Sequence, residues 1–470
     1  MSGRSLLPAL LAALAVLPVP ASAQSVWRVS PDGPLATVSA ALEGAATGDT
    51  VRVAPGVYRE RLVIERPTIL VGEGWPVLDG GGKGHIVEAR AQLTIRGFVL
   101  RNSGIRPDRE DAGIVVQGAP ARIEDNRIED VLYGVYLKEA PGSLVRGNEI
   151  RGKPLPLERR GDGIRLWYSH DTRIVGNTVR DMRDVVLYFS DRLVVRGNTV
   201  VDGRYGLHTM YSHRGRFLDN RVEGNDVGAF LMYSEGLVLE GNVFSDAGGA
   251  SGMGLGIKDV DDVRVAGNLL VGNAVGIHLD NSPRSEGTTN VFVGNALLAN
   301  DVAVRLFPSV RGNRLHGNAF VGNGRPVEVA GGSRPGQARQ NEWRGNHWSE
   351  YVGFDEDGDG IGDSAFEHAR LADELVGRHP ALKIFSGSPA LSLLDLLGRF
   401  LPLLQPEPVV ADPAPRLSAA AARRWRGRVL ATEGSGRHEA AWPTAAWALA
   451  IVAGIGLVGR GARDRSRCRP

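Results

Sequence analysis

The chain has 470 residues, 43% hydrophobic, with 62 glycines but only 12 Phe and five Met, so a large core has to be filled by Val, Ile and Leu. A formal charge of +2 hides an uneven distribution: residues 416–470 hold eleven Arg against three acids, leaving about −6 on the remainder, which excludes a nucleic-acid footprint on the body. The single cysteine, Cys468, excludes an intrachain disulfide and a CxxC redox centre, so stability must come from stacking.

Residues 1–23 read as an export signal: Arg4, an apolar run from Leu6 to Leu17, prolines, then Ala21-Ser22-Ala23 before Gln24. The next apolar pattern, Leu35, Val38 and Leu42 within Leu35 to Gly44, has helical spacing and predicts a short helix covering the first end of the fold. From there residues 24–380 are periodic. A marker Asn recurs at Asn126, Asn148, Asn177, Asn198, Asn220, Asn242, Asn268, Asn295, Asn318 and Asn346, usually after Gly, with several intervals of 21 or 22. Such a period signals a solenoid in which each unit stacks on its neighbours. Inside a unit the local period is two, as in Gly206-Leu207-His208-Thr209-Met210, so the units are strands.

The fold class is therefore all-β, a right-handed parallel β-helix. Aligned unit by unit, Val135, Ile164, Val185, Leu207, Ala229, Leu255 and Ile277 form one buried column; Leu137, Leu166, Leu187, Thr209, Leu231, Ile257 and Leu279 form the other. The marker Asn is expected at a left-handed bend, with its amide bonding up the ladder. Arg151 to Asp162 and Asn281 to Thr289 are insertions expected as surface loops. After the solenoid, 381–405 is an apolar amphipathic segment with Leu391, Leu394, Leu397 and Leu401 at helical spacing. Residues 406–439 read as a Pro/Arg-rich linker. Ala440 to Gly459 is uncharged, about the length of a membrane span, and the basic tail 460–470 places the C-terminus in the cytoplasm by the positive-inside rule.

Three of the four methionines after the initiator, Met210, Met232 and Met253, are spaced by 22 and 21 residues. Met210 and Met232 occupy one outward slot in consecutive rungs, about 4.8 Å apart, with His208 two residues before Met210 on the same face and His213 in the following turn. Thioethers with an imidazole suit a soft ion such as Cu(I). Met253, at its strand's edge, either closes such a site or misses it. The alternative is that the methionines pack under a loop or against a partner. Trp167 and Tyr188 precede Met210 in the same column, so the stripe also suits sugar stacking or protein binding. His278, three rungs past His208 in its slot, reads as an ordinary surface histidine.

A second candidate is Asp355-Glu356-Asp357-Gly358-Asp359-Gly360-Ile361-Gly362-Asp363, where Asp355, Asp357, Asp359 and Asp363 offer hard oxygen ligands for a structural Ca²⁺, although the acidic twelfth position of a calcium loop is missing. No nucleotide loop, GxSxG or HExxH is present, and no compact acid pair tied to an outward Arg or Lys trio is evident. Arg109-Glu110-Asp111 and Glu158-Arg159-Arg160-Gly161-Asp162 read as solvated loop charges. A non-enzyme is expected; the competing classes are a carbohydrate-active β-helix lyase, hydrolase or epimerase, and an adhesin.

The stretches Arg59-Glu60-Arg61-Leu62-Val63-Ile64, Arg109-Glu110-Asp111-Ala112-Gly113-Ile114, Leu207-His208-Thr209-Met210-Tyr211-Ser212, Leu231-Met232-Tyr233-Ser234, Met253-Gly254-Leu255-Gly256 and Asn346-His347-Trp348-Ser349-Glu350-Tyr351 through Asp363 resemble the NosD family, periplasmic β-helix maturation factors of nitrous oxide reductase. The resemblance covers about Asp49 to Gln405. It implies a periplasmic protein at or anchored to the inner membrane, working with an ABC transporter ATPase and membrane subunit. It further implies receipt of copper from a lipoprotein chaperone and service to the reductase's copper-sulfur centre, with copper or sulfur as cargo and His208, Met210, Met232 and Met253 as copper ligands or docking surface. Many family members end near the apolar segment Ala381 to Leu404, which would dock on the transporter's periplasmic edge; this chain continues beyond it.

Overall fold

The computed structural model describes residues 25–425 apart from 250, 333–335, 337–338, 386–387 and 401–406. The signal segment 1–23 and the apolar run 440–459 lie outside the described residues, among which no helix is long and apolar enough to cross a membrane.

The chain winds through three parallel sheets of 14, 12 and 13 strands, each strand pairing with the equivalent strand of the preceding and following rungs. Both inner columns expected from the sequence lie in the 12-stranded sheet, in the predicted register, and are fully buried. One irregularity interrupts them: between Asp184–Tyr188 and Tyr205–Met210 the register slips, with Asp184 opposite Tyr205 but Val186 opposite His208. This bulge re-aims the strand starts that build the site below.

The marker asparagines form one continuous buried ladder, in which each Oδ1 accepts both the backbone N–H and the Nδ2–H of the previous rung's Asn at about 3 Å. The left-handed residue is not Asn, however, but the one before it: Gly147, Gly176 and Gly197 at φ 63–65°, or Asp125 and Asp219 at 52°. Glycine takes the bend, and that frees Asn to turn its amide inward. Shorter ladders of Asn273, Asn300 and Asn323, and of Ser169, Ser190, Ser212 and Ser234, serve other corners, and Asn225 alone accepts from the N–H of Gly203.

Both ends are closed. Helix α1, Val38–Gly44, begins three residues later than expected; Thr37 caps it, Glu60 accepts from the N–H groups of Val38 and Ser39 at 2.8 and 2.9 Å, and Val38 and Ala41 are buried. At the far end Trp348 lies between Phe320 and Phe366, with ring centroids 4.2 and 4.5 Å away. There α2, Leu371–Arg378, packs with α3, Pro389–Phe400.

The supposed linker departs most from expectation, because residues 407–425 are part of the body. Val410–Asp412 pairs antiparallel with Phe366–His368. Asp412 is fully buried and takes the place of the next Asn, accepting from the N–H groups of Gly345, Asn346 and Ala414, from Asn346 Nδ2 and from Trp348 Nε1. Beyond it Ala421, Ala422 and Trp425 pack with Val243, Leu269, Val271, Ala296, Leu298, Ala319 and Val321 of the 13-stranded sheet. We call this segment the strap.

Candidate functional site

The outer face of the 12-stranded sheet carries the chemistry. Its strands run Tyr133–Lys138, Ile164–Trp167, Asp184–Tyr188, Tyr205–Met210, Val227–Met232, Met253–Lys258 and Val275–Asp280. The last outward column reads Lys138, Trp167, Tyr188, Met210, Met232, Lys258 and Asp280. Met210 and Met232 are therefore direct partners on adjacent strands, both partly exposed.

Met253 is not brought to them. It pairs with Val227 and Val275 at the start of its strand, whereas the partner of Met232 there is Lys258, five residues further and roughly 16 Å along the strand. His208 does share the outward face but is 6% exposed, ringed by Tyr188, Tyr205 and Phe230, and the Tyr188 hydroxyl shares a hydrogen bond with its Nδ1 at 3.0 Å. Burial pushes the imidazole down to about 4, so it is neutral and able to donate a lone pair throughout the physiological range. The same burial, with Asp184 adding, pushes Tyr188 up to about 12. His213 faces Glu235 at 3.9 Å in the turn. His278 is half-buried against Phe307 and is also lowered by burial, to about 4, so it is not an ordinary surface histidine.

Beside His208 the structure assembles a cluster that the sequence reading did not find. Asp162 and Asp184 lie at consecutive strand starts, each 1% exposed at the side chain. Arg183 reaches both, at 3.1 and 3.6 Å; Arg204 clasps Asp184; Arg165 reaches Asp162 at 3.6 Å and Glu110 at 3.0 Å. An acid pair tied to an arginine trio is thus present. It was hidden because its members come from strand starts and loops of successive rungs, 21 residues separating Asp162 from Arg183 and 20 separating Asp184 from Arg204, and meet where the register slips. Burial first, and then the Asp184 charge, raise Asp162 to about 6 against the pull of Arg183. Of the loop charges expected to be solvated, Arg109 and Glu158 are exposed, while Glu110 and Asp162 are drawn into this network.

A second missed feature edges the methionine column. Tyr168, Phe189, Tyr211 and Tyr233, the next residue in four consecutive rungs, stack with centroids 5.0–5.3 Å apart and interplanar angles of 10–17°. All four sit at φ 49–52°, in the left-handed region that bulky residues avoid. The ring faces are turned on one another, so the ladder offers ring edges and hydroxyls rather than a platform for sugar stacking. The repeat alignment carried this signal one column past Met210.

In the acidic loop, Asp355, Asp357 and Asp359 bring ligand atoms within 4.8 Å of one another. Asp363 stands outside that group and accepts from the N–H of Glu356 at 2.6 Å. Three carboxylates are fewer than the six to eight oxygens Ca²⁺ takes, so backbone or water oxygens would have to complete a shell.

The molecule is a parallel β-helix bearing a thioether and aromatic face beside a buried charge network. Residues 147–353 match a family profile described as "Periplasmic copper-binding protein (NosD)". The Pseudomonas aeruginosa protein named "Probable ABC transporter binding protein NosD" is 32% identical over 426 residues, spanning 79% of this chain and 88% of that protein. Its namesake from Stutzerimonas stutzeri is 28% identical over 400 residues, spanning 77% and 86%. The chain belongs to the NosD family. Among solved structures, the catalytic domain of a GH87 α-1,3-glucanase, in complex with tetrasaccharides, is 12% identical with a TM-score of 0.48, covering 72% of this chain and 71% of that one. The Azotobacter vinelandii mannuronan C-5 epimerase AlgE6 A-module is 18% identical with a TM-score of 0.41, covering 63% and 93%.

Proposed function

We propose that the protein is a non-catalytic periplasmic component that binds Cu(I) and works with the ATPase and membrane subunits of an ABC transporter at the inner membrane. On this reading it takes copper from a lipoprotein chaperone and serves assembly of the copper-sulfur centre of nitrous oxide reductase. The observation that carries the reading is the register pairing of Met210 with Met232 in a chain of this family. Two thioethers on adjacent strands favour a soft monovalent ion over Zn²⁺, Ca²⁺ or Mg²⁺. His208 completes the set only if the Tyr188 hydroxyl gives way, and Met253 is too far along its strand to join.

The test is an anaerobic Cu(I) titration of the full chain against a competing chelator, repeated with Met210→Leu plus Met232→Leu. The double variant should lose at least tenfold in affinity, about 1.4 kcal/mol. Equal affinities would remove this site.

A second reading, a β-helix enzyme acting on an acidic polysaccharide, is favoured by one observation: Asp162, Asp184 and three arginines adjoin the hydrogen-bonded Tyr188 and His208. It predicts unsaturated or epimerised products from polyuronates, lost in Asp162→Asn. Absence of turnover on such substrates leaves the binding reading alone.

A further inference from the structure

The helical cap beyond the solenoid wears its apolar side outward. Asp395, the only acid between Leu375 and Gln405, points inward and accepts from the N–H of Ala372, at the start of α2, at 2.8 Å. Leu391 and Leu394 are half-buried on that inner side, and Gly398 is buried there, with Leu371 beside it. On the opposite side of α3, Leu393, Leu396 and Leu397 are 55%, 48% and 41% exposed, and just before the helix Ile384 and Phe385 are 81% and 50% exposed. A surface helix of a water-soluble domain has the reverse polarity.

The chain itself indicates what covers this face. Within the cap Arg378 is paired with Glu374 and Asp395 is used internally, while the sequence that leads on toward the C-terminus, residues 416–439, carries six Arg against Glu433 and Glu439, a basic approach that suits anionic headgroups. The uncharged run Ala440 to Gly459, followed by five arginines, begins 15 residues after Trp425, a reach of at most about 50 Å of extended chain.

We infer that α3 lies in the boundary between headgroups and acyl chains of an anionic bilayer, with Leu393, Leu396 and Leu397 immersed, a contact the protein makes without any other subunit. The inference is independent of copper binding and differs from docking of this segment on the transporter's edge.

The test places a nitroxide at Leu396→Cys in the full chain with Cys468→Ser, and a control label at Val57→Cys, which is 49% exposed near the first end of the solenoid. Both are reconstituted in phosphatidylcholine vesicles with and without phosphatidylglycerol, and accessibility to oxygen and to a nickel chelate is read by paramagnetic relaxation. The Leu396 label should become several-fold more accessible to oxygen than to the chelate on anionic vesicles, while the Val57 label stays in water. Adding Leu393→Glu and Leu397→Glu should return the Leu396 label to water while leaving the far-ultraviolet dichroism unchanged. A Leu396 label equally open to the chelate with and without vesicles overturns the inference. So does one shielded only when the transporter's membrane subunit is present, which would make the occupant a protein.

Discussion

Two outer faces of the same solenoid are opposites. On the 13-stranded sheet, from Val243 to Val321, the outward residues are apolar except Ser245, and the strap packs with them. On the 12-stranded sheet, from Trp167 to Met232, the outward residues are, apart from Val186, aromatics, charges and thioethers, several partly exposed. The inner wall is common to both, so it reports only that the chain stacks. The outer wall differs with what covers it: its own chain on one face and, on the function proposed above, a ligand or partner on the other.

The sharpest break of that contrast is a charge placed on each face. Leu269→Glu should lower unfolding stability by about 3–5 kcal/mol, since a fully buried position would receive an unpaired carboxylate. Met232→Glu, on a partly exposed position next to Lys258, should change it by about 0.5 kcal/mol or less. Equal losses in chemical denaturation would mean that the methionine face is as covered as the other. Trp425→Ala follows, with an expected loss of about 3 kcal/mol, because a large side chain only 5% exposed is removed from the strap's contact. A loss below about 1 kcal/mol would make the strap a passenger.

The contrast also shows what could be read from the residues. The inner columns and the Met210–Met232 pairing were legible because the local period of two and the 22-residue interval fix both facing and register. Runs such as Leu269-Leu270-Val271 and Ala296-Leu297-Leu298 are apolar on both faces, a signal that the linker expectation left unused, and nothing local to Asp412 shows that it completes an asparagine ladder 66 residues away. Composition made that segment a linker; burial of its carboxylate among five donors makes it a cap. The Asp162 and Asp184 network failed to show for a related reason, since charges in loops look solvated until the register slip brings them together. The bend was misassigned by one residue because the Asn and its predecessor, Gly in most rungs and Asp at 125 and 219, recur as a pair, and only φ separates their roles.

On the open face, Met210→Leu plus Met232→Leu should leave stability within about 1.5 kcal/mol, as volume-conserving swaps do, while reducing Cu(I) affinity as proposed. The pH profile tests whether His208 belongs to the same site. A histidine with an ordinary pKa near 6.5 would lose metal to protons below that value, but His208 stays neutral to about pH 4, so affinity should hold nearly constant from pH 7 to pH 5. Folding stability carries the opposite signature. The unfolded imidazole takes up a proton below about 6.5 and the folded one does not, so the His208 contribution is present at neutral pH and declines between about 6.5 and 4. His278 should decline in parallel, so His208→Gln should flatten the stability profile only in part.

The smallest expected effect is the most informative about the aromatic ladder. Tyr211 sits at φ 52°, 43% exposed, with stacked partners on both sides. Losing those stacks should remove about 0.5–1.5 kcal/mol each, while replacing a bulky left-handed residue by Asn relieves strain of order 1 kcal/mol and Asn tolerates that backbone region. The two terms oppose, so Tyr211→Asn should alter unfolding stability by only about 1 kcal/mol. If it removes 3 kcal/mol or more, the ladder is a structural staple like the strap. If it is nearly neutral, four strained aromatics in consecutive rungs have no stability rationale, and their row of edges and hydroxyls beside Met210 and Met232 is a surface kept for contact.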